Sequence, residues 1–208
     1  MDNKQHWEHV YRSKRPEEVS WYRPHLDLSL RFIEQAAADL NAAIIDVGGG
    51  ESTLVDDLLA RGYRDVSMLD LSDTALEVTR ARLGARAALV HWLSGDVLAF
   101  PFSPDRYDIW HDRAVFHFLT DPAERAAYVR QVQRAVKPGG HVIVAAFGPQ
   151  GPDKCSGLDV VRYAPESLHG QFGPAFRLLT HLSEVHQTPW GTAQQFTYCF
   201  CRTERPQH

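Results

Sequence analysis

The feature that most constrains the fold is a glycine-rich turn between an apolar segment and a segment with helical spacing. Ala43–Val47 is rich in β-branched residues, Gly48, Gly49 and Gly50 follow it, and the apolar residues of Leu54–Leu59 recur with helical spacing. Glycine permits positive φ angles and lets a ligand approach bare backbone, and a helix start presents free N–H groups. The pattern predicts a buried strand, a tight turn with a ligand site, and a helix.

The glycine spacing and a nearby acid indicate which ligand the turn binds. A dinucleotide-binding turn reads Gly-x-Gly-x-x-Gly, and here Gly48 and Gly50 fit but Thr53 takes the third position. Asp46 stands two residues before the first glycine, where a carboxylate would repel a pyrophosphate and attract a cationic group. S-adenosylmethionine (SAM) carries an ammonium and a sulfonium but no phosphate. This acid-x-Gly-x-Gly string resembles the first motif of the class I SAM-dependent methyltransferases.

A second acid stands at the end of the next predicted strand, Val66–Asp70. Asp70 lies 24 residues after Asp46, the distance at which strand–helix–strand nucleotide folds place an acid that accepts the ribose hydroxyls. NAD-binding enzymes use the same device, so Asp70 predicts adenosine binding without choosing the cofactor. Ser72 follows as a helix N-cap. The methyltransferase resemblance implies that Asp70 and its neighbour Leu71 contact SAM.

The resemblance also covers the segment after the third predicted strand, Leu89–Leu93. Gly95, Asp96 and Val97 resemble the Gly-Asp-apolar motif of the family. This likeness implies that Asp96 holds the adenine amino group and that Val97 covers the adenine ring. A Gly-Asp pair is also a common turn former, so this motif is less specific than the glycine turn.

Two candidate catalytic residues follow the fourth predicted strand, Tyr107–His111. Because ligands bind at the carboxyl ends of parallel strands, Asp112 is expected beside the cofactor and the reacting methyl group. The family keeps acceptor-site residues in this region, so Asp112 and His117 are candidate bases if the acceptor arrives protonated. Two alternatives stay open: a local ion pair between Asp112 and Arg113, and a histidine packed in the core at position 117.

Aromatic residues are concentrated in the N-terminal segment 1–24. Trp7, Tyr11 and Trp21 are interleaved with basic residues in a polar, proline-containing stretch. They either fasten this segment to the core or form a lid over the cofactor or acceptor. The pattern resembles the N-terminal segments of several small methyltransferases, including thiopurine-type and lysine-modifying ones. We therefore count Trp7, Tyr11 and Trp21 among the predicted cofactor contacts.

Strands alternate with helices five times, and two consecutive strands end the chain. This order predicts an α/β fold: a three-layer sandwich around a seven-stranded, mainly parallel, Rossmann-like sheet with an antiparallel C-terminal strand. The string Lys137-Pro138-Gly139-Gly140, expected to form a turn before a strand at His141–Ala146, resembles the family's entry to strand five. We predict a single domain with a lid segment, a SAM-binding core, a substrate-side insert and a C-terminal strand pair. Their ranges are 1–24, 25–146, 147–176 and 177–208.

Composition excludes several other classes. The net charge of −4 without a basic run argues against a nucleic-acid partner. There is no apolar run near the ~18 residues of a membrane span and no signal-like N-terminus, so we expect a cytoplasmic protein. The 11 histidines lack metal-ligand spacing and no Cys-x-x-Cys pair occurs, so no metal is expected. The sequence leaves the oligomeric state open.

The predicted function is methyl transfer from SAM to a small-molecule acceptor, with S-adenosylhomocysteine (SAH) as product. The resemblance is closest to small bacterial methyltransferases of the type 11 and 12 sequence families. One alternative is a protein-lysine methyltransferase. Alternatives of another class are a noncatalytic SAM-binding module and an NAD-binding oxidoreductase. The sequence does not identify the acceptor atom as nitrogen, oxygen or sulfur.

Overall fold

A seven-stranded sheet organises the computed structural model, which describes residues 3–204. Residues 1–2 and 205–208 of the predicted outer segments lie outside the described residues. The strands of the sheet are β1 (Ala43–Val47), β2 (Asp65–Asp70), β3 (Val90–Ser94), β4 (Tyr107–Arg113), β5 (Val136–Phe147), β8 (Phe176–Gln187) and β9 (Ala193–Thr203). A separate short pair is formed by β6 (Lys154–Cys155) and β7 (Leu158–Asp159). The helices are α1 (Asn3–Ser13), α2 (Asp27–Ala36), α3 (Leu54–Ala60), α4 (Asp73–Leu83), α5 (Pro122–Ala135) and α6 (Pro165–Gly170).

The strand order is β3-β2-β1-β4-β5-β9-β8, in which β9 runs antiparallel to both of its neighbours. Successive residues of a strand point to opposite faces, so Ile44 and Ile45 of β1 enter different cores. Ile44 packs in the cluster that contains apolar residues of α2, α3 and α4, and Ile45 packs with α5 and α6. The predicted three-layer, mainly parallel sandwich is confirmed.

Strand β5 begins earlier than the sequence pattern indicates. It starts at Val136 and therefore includes the Lys-Pro-Gly-Gly string that was expected to form a turn. The pairing of β4 with β5 shifts register between Tyr107 and Ile109, and Gly139 has a φ of 81°. A bulge accommodates the extra residues inside the strand. The irregular segment 147–176 contains the β6–β7 pair and α6, and the N-terminal segment contains α1.

The predicted strand–turn–helix is present, and the turn requires glycine for steric reasons. Gly48 has a φ of 65°, and a Cβ atom there would lie 1.9 Å from Cγ2 of Val115. Gly50 has a φ of 52°, and its Cβ would lie 2.5 Å from the hydroxyl of Tyr11. The turn thus lets α1 and the loop after β4 approach bare backbone.

Gly48→Ala should therefore destabilise the fold more than the same substitution at a glycine where backbone strain is the only cost. Gly157, in the β6–β7 turn, has a φ of 81° but no atom within 4 Å of a Cβ position. We expect Gly157→Ala to lower the free energy of unfolding by about 1 kcal/mol, the cost of the left-handed conformation. Gly48→Ala adds overpacking against Val115, for a total of about 2–4 kcal/mol. Equal losses in chemical denaturation of the two variants would contradict the steric argument.

Candidate functional site

A cavity of about 420 Å³ lies where the parallel strands β1 to β4 end. The loops that follow these strands meet at this edge of the sheet, which is where open α/β folds bind ligands. Residues of helix α1 and Trp21 form another part of its wall. The predicted cofactor residues on the wall of this cavity are Trp7, Tyr11, Trp21, Gly48, Asp70, Leu71, Asp96 and Val97. Asp46 and Gly49 line a second cavity, and Gly50, Asp112 and His117 line neither.

Asp70 ends β2 as predicted and is 6% exposed. Its Oδ1 accepts a hydrogen bond from the backbone N–H of Ser72 at 2.8 Å, and Ser72 caps α4 by accepting from Ala75 N. Burial raises the pKa of Asp70 to about 6. Along the next loop, Asp96 is exposed and accepts from Leu98 N at 2.9 Å. The loop after β2 therefore presents a buried carboxylate to the cavity, fixed by its own helix cap.

Aromatic rings form part of the cavity wall. The ring of Trp7 lies 5.2 Å from Phe118 and 5.8 Å from Trp21, both edge-to-face, and 5.9 Å from Tyr11. Edge-to-face pairs of this kind are a favoured aromatic packing. The N-terminal aromatics are thus packed together and at the same time cover the cavity, and the lid hypothesis stays a prediction.

A smaller cavity of about 40 Å³ lies behind the glycine turn. It adjoins the large cavity, because Trp21, Gly48 and Arg113 line both. Three buried atoms of its lining residues have no hydrogen-bond partner among the described residues: Oδ2 of Asp46, Oε2 of Glu51 and Nη2 of Arg113. Burial raises the pKa of Glu51 to about 7. Unpartnered buried polar atoms are costly, so they indicate a ligand or water site.

A buried hydrogen-bond network supports this smaller cavity. Asp46 Oδ1 lies 2.7 Å from Nδ1 of His111, and Nε2 of the same ring lies 2.8 Å from the hydroxyl of Ser29. Arg113 donates from Nε to the hydroxyl of Tyr198 at 3.2 Å. Sequence reasoning missed His111 as the partner of Asp46, Ser29 as the partner of His111 and Tyr198 as the partner of Arg113. Strand periodicity offered one signal, because His111 and Arg113 must share the face of β4 opposite Asp112.

Asp112 lies at the end of β4 but its carboxylate faces the core. Oδ1 accepts from Val115 N at 2.8 Å, and Oδ2 accepts from Phe116 N at 3.1 Å and from the hydroxyl of Tyr128 at 2.6 Å. The residue is 0% exposed, and burial raises its pKa to about 6. No ion pair between Asp112 and Arg113 occurs in the described structure. Asp112 thus fixes the turn that leads from β4 to the cavity wall.

His117 is packed among aromatic residues. Its ring lies 4.4 Å from Phe118 and 4.5 Å from Phe147, and the residue is 0% exposed. Nδ1 accepts a hydrogen bond from Phe147 N at 3.3 Å, and burial lowers the pKa of His117 to about 3. The imidazole is therefore neutral at physiological pH. Its Nε2 has no partner among the described residues.

Comparison with known proteins identifies the family. Residues 44–140 match a family model described as a methyltransferase domain. A ubiquinone/menaquinone biosynthesis C-methyltransferase, UbiE, of Roseobacter denitrificans is 30% identical over 107 residues, which are 50% of this chain and 42% of the relative. The chain therefore contains a methyltransferase domain of the class I SAM-dependent type. Membership of this family implies SAM as the cofactor.

Two further similarities extend beyond the family model. An eEF1A lysine and N-terminal methyltransferase of Mus musculus is 24% identical over 142 residues, which are 66% of this chain and 19% of that relative. A solved structure described as concerning the conversion of a disulfide bond into a thioacetal group during echinomycin biosynthesis has a TM-score of 0.77 and 17% identity. It covers 98% of this chain and 93% of the other, and it shows the shared fold. The chain spans less than half the length of the two curated relatives.

Within residues 3–204, no group of three or more His, Cys, Asp or Glu side chains is arranged to hold a metal ion. No helix in this described part of the methyltransferase is long and apolar enough to cross a membrane.

Asp112→Ala should destabilise the methyltransferase by about 3 kcal/mol, because it leaves two backbone N–H groups and the Tyr128 hydroxyl without an acceptor in the core. As a control we choose Asp159→Ala, because the Asp159 side chain is 77% exposed in its pair with Lys154. That variant should lose at most about 0.5 kcal/mol. Chemical denaturation measures both losses. A small loss for Asp112→Ala would show that this carboxylate is not a structural support.

Proposed function

We propose that this methyltransferase transfers a methyl group from SAM to a small-molecule acceptor and releases SAH. The observation that carries the proposal is the pair of adjoining cavities. The large one presents the buried carboxylate of Asp70, and the small one holds unpartnered atoms of Asp46, Glu51 and Arg113. This arrangement suits a ligand with an adenosine at one end and a zwitterionic amino acid at the other.

At the adenosine end, Asp70 would accept the ribose hydroxyls. The Ser72 N–H bonds Oδ1, and the backbone N–H groups of Gly50 and Leu71 also act on this carboxylate. A carboxylate has about four acceptor positions, so it can accept a further bond from a ribose hydroxyl. Leu71 and Val97 supply apolar contacts for the adenine, and Asp96 supplies an acceptor for its amino group. These are the residues that the methyltransferase motifs predict from the sequence.

At the methionine end, the charges of the small cavity match those of an amino acid. Oδ2 of Asp46 and Oε2 of Glu51 would accept hydrogen bonds from the ammonium group, and Nη2 of Arg113 would donate to the carboxylate. Gly48 belongs to both cavities and offers bare backbone at the junction. A bound amino-acid group would give hydrogen bonds to three buried atoms that have none among the described residues.

When bound, SAM supplies a methyl group on a sulfonium, which is already a good leaving group. The protein therefore mainly has to align the lone pair of the acceptor with the methyl carbon and exclude water. The rings of Trp7, Trp21 and Phe118 suit this task, because they line the large cavity and form an apolar wall. Aromatic faces also stabilise positive charge by about 0.5–2 kcal/mol.

The N-terminal part of the cavity wall favours a small acceptor over a lysine of a protein. Residues of helix α1 and Trp21 line the cavity together with the strand ends, so an acceptor has to fit beside them. A lysine side chain would need an open channel to the surface. The similarity to the eEF1A methyltransferase keeps the lysine alternative in the experimental comparison, together with a noncatalytic SAM-binding role.

We further propose that the reaction proceeds by positioning, without Asp112 or His117 as a base. Neither residue lines the cavity, and the carboxylate of Asp112 already accepts three hydrogen bonds. Tyr11 and Cys155, which also line the cavity, are kept protonated, because burial raises the pKa of Tyr11 and raises the pKa of Cys155 to about 12.

The affinity for SAM should fall as the pH drops through about 6. Burial raises the pKa of Asp70 to about 6, and protonation removes an acceptor for the ribose hydroxyls. Asp70→Asn should weaken binding at pH 8 by about 5- to 150-fold, corresponding to 1–3 kcal/mol, and should lack the step near pH 6. Burial raises the pKa of Glu51 to about 7, so the affinity for SAM should also fall as the pH drops through about 7, where protonation weakens the proposed bond to the ammonium group. This second step should be absent in Glu51→Gln.

Isothermal titration calorimetry with SAM and SAH from pH 5 to 8 measures these effects. Asp65→Asn is the matched control, because Asp65 begins β2 at the opposite end of the strand from Asp70. It should leave the affinity and its pH dependence unchanged. Tight binding of NAD, with no heat from SAM or SAH, would refute the proposed cofactor.

A SAM-consumption screen over small thiols, amines and hydroxyl compounds and over lysine peptides identifies the acceptor. With that acceptor, His117→Leu should keep kcat within about threefold from pH 6 to 9, whereas loss of a true base costs about 10²–10⁴-fold. Phe118→Leu, which changes the neighbouring ring on the cavity wall, should instead raise the KM for the acceptor. A large fall of kcat in His117→Leu at unchanged SAM affinity would assign the base to His117. Turnover of peptides alone would favour the lysine alternative.

A further inference from the structure

Helix α1 has two functional faces. Trp7 and Tyr11 are four residues apart and line the large cavity. Lys4, Glu8 and Arg12 are also spaced by four residues, and each contacts the first turn of α4. Residues four apart lie on one side of a helix, and Lys4 also lines the cavity, so two adjacent faces of α1 meet the cavity and α4.

Glu8 is the centre of this attachment. Its Oε1 accepts from the backbone N–H of Asp73 at 2.7 Å, and its Oε2 accepts from the hydroxyl of Thr74. The Glu8 side chain is only 13% exposed. Lys4 and Arg12 bind on either side of it, to Asp73 at 2.9 Å and to the Thr74 hydroxyl at 3.3 Å. A carboxylate at the positive end of a helix is stabilised by free N–H groups and by the helix dipole.

The hydrogen bonds outweigh the burial of this carboxylate. Burial alone would raise the pKa of Glu8, but the bonds from Thr74 and Asp73 lower it overall. Glu8 is therefore ionised at physiological pH. The facing groups from the two helices are Lys4 and Arg12 on α1 and Asp73 on α4, so the contact is ionic and sensitive to salt.

The segment that Glu8 binds is continuous with the cofactor wall. Asp70 and Leu71 line the cavity, Ser72 donates its N–H to Asp70, and Asp73 and Thr74 come next. One segment of five residues, from the end of β2 to the first turn of α4, thus holds both the proposed ribose acceptor and the attachment of α1. A ligand that orders this loop also favours the attached position of α1, and the reverse follows by linkage.

We propose that Glu8 is a positioning residue that latches α1 over the cavity, so that Glu8 must release α4 before SAM and SAH exchange. The proposal rests on the proposed SAM site. Glu8 acts through Trp7 and Tyr11, which it holds against the site, and it makes no contact with the cavity itself. We call α1, with Trp7 and Tyr11, the roof of the cavity. Detachment of Glu8 frees this roof without disturbing the sheet or the glycine turn.

The decisive measurement is the dissociation rate of SAH, followed by the tryptophan fluorescence of the full-length protein in a stopped-flow instrument. Glu8→Ala should release SAH about tenfold faster, and Glu8→Gln, which keeps an acceptor oxygen, should show an intermediate rate. Thr74→Val should also accelerate release, and the double variant with Glu8→Ala should be no faster than Glu8→Ala alone. High salt should accelerate release from the wild type but not from Glu8→Ala.

Glu18→Ala is the matched control. Glu18 also belongs to the N-terminal segment and pairs with Arg15, but it does not contact α4. It should leave the SAH release rate unchanged. If Glu8 has a merely structural role, Glu8→Ala should lower the stability of the ligand-free protein in proportion to its effect on release. If Glu8 is a latch, its removal should accelerate release with little change in the denaturation midpoint. A wild-type release rate in Glu8→Ala would overturn the proposal.

A second readout separates failure of the latch from failure of the proposed function. Lys14 is exposed in the link between α1 and α2, and trypsin cleavage after it reports the detached helix. In the absence of any ligand, Glu8→Ala should be cleaved several-fold faster than the wild type and Glu18→Ala should not. If SAH fails to bind the wild type, the proposed function is wrong, and unchanged cleavage in Glu8→Ala would also reject the latch.

Discussion

The close approach of other segments to the glycine turn after β1 is the constraint on which the rest of the site depends. A Cβ at Gly48 would overlap Val115 in the loop after β4, and a Cβ at Gly50 would overlap the hydroxyl of Tyr11 on α1. Two segments that are distant in sequence can therefore reach the end of β1 only because this backbone is bare. The position of the turn thus sets the position of the cavity wall and of its roof.

Helix α4 connects that turn to the roof. Near its end, Thr79 donates to the carbonyl of Gly50 at 2.9 Å, and Arg82 donates to the carbonyls of Glu51 and Ser52 at 2.8 and 2.6 Å. At its start, α4 receives Glu8 of α1. One helix therefore holds three successive carbonyls of the glycine turn and the attachment of the N-terminal helix. In the proposed latch, α4 is the element through which occupation of the site would be coupled to the position of α1.

The region around the glycine turn buries polar and charged side chains, whereas the cores on the two faces of the sheet are apolar. Asp46 and His111 are 2% and 0% exposed and lie in contact, and Arg113 is held by the Tyr198 hydroxyl. Burying charged and polar groups costs free energy unless they are fully paired, and here three atoms have no hydrogen-bond partner among the described residues, although Nη2 of Arg113 lies 3.9 Å from Oε2 of Glu184. A chain that keeps such groups next to a cavity sacrifices stability at the place where a charged ligand would restore it.

The sequence by itself determined the α/β order, the bounds of β1, the glycine turn and the acid that ends β2, because these depend on local periodicity, glycine stereochemistry and spacing along one strand–helix–strand unit. Only the tertiary structure decided the rest. Asp112 stands where an acceptor-site acid was expected, yet strand alternation and Tyr128 turn its carboxylate into the core. The partners of Asp46 and Glu8 lie about 65 residues away along the chain, and neither propensity nor hydrophobic pattern carries that information. Such pairs arise from the order of the strands in the sheet, which brings distant loop ends to one edge.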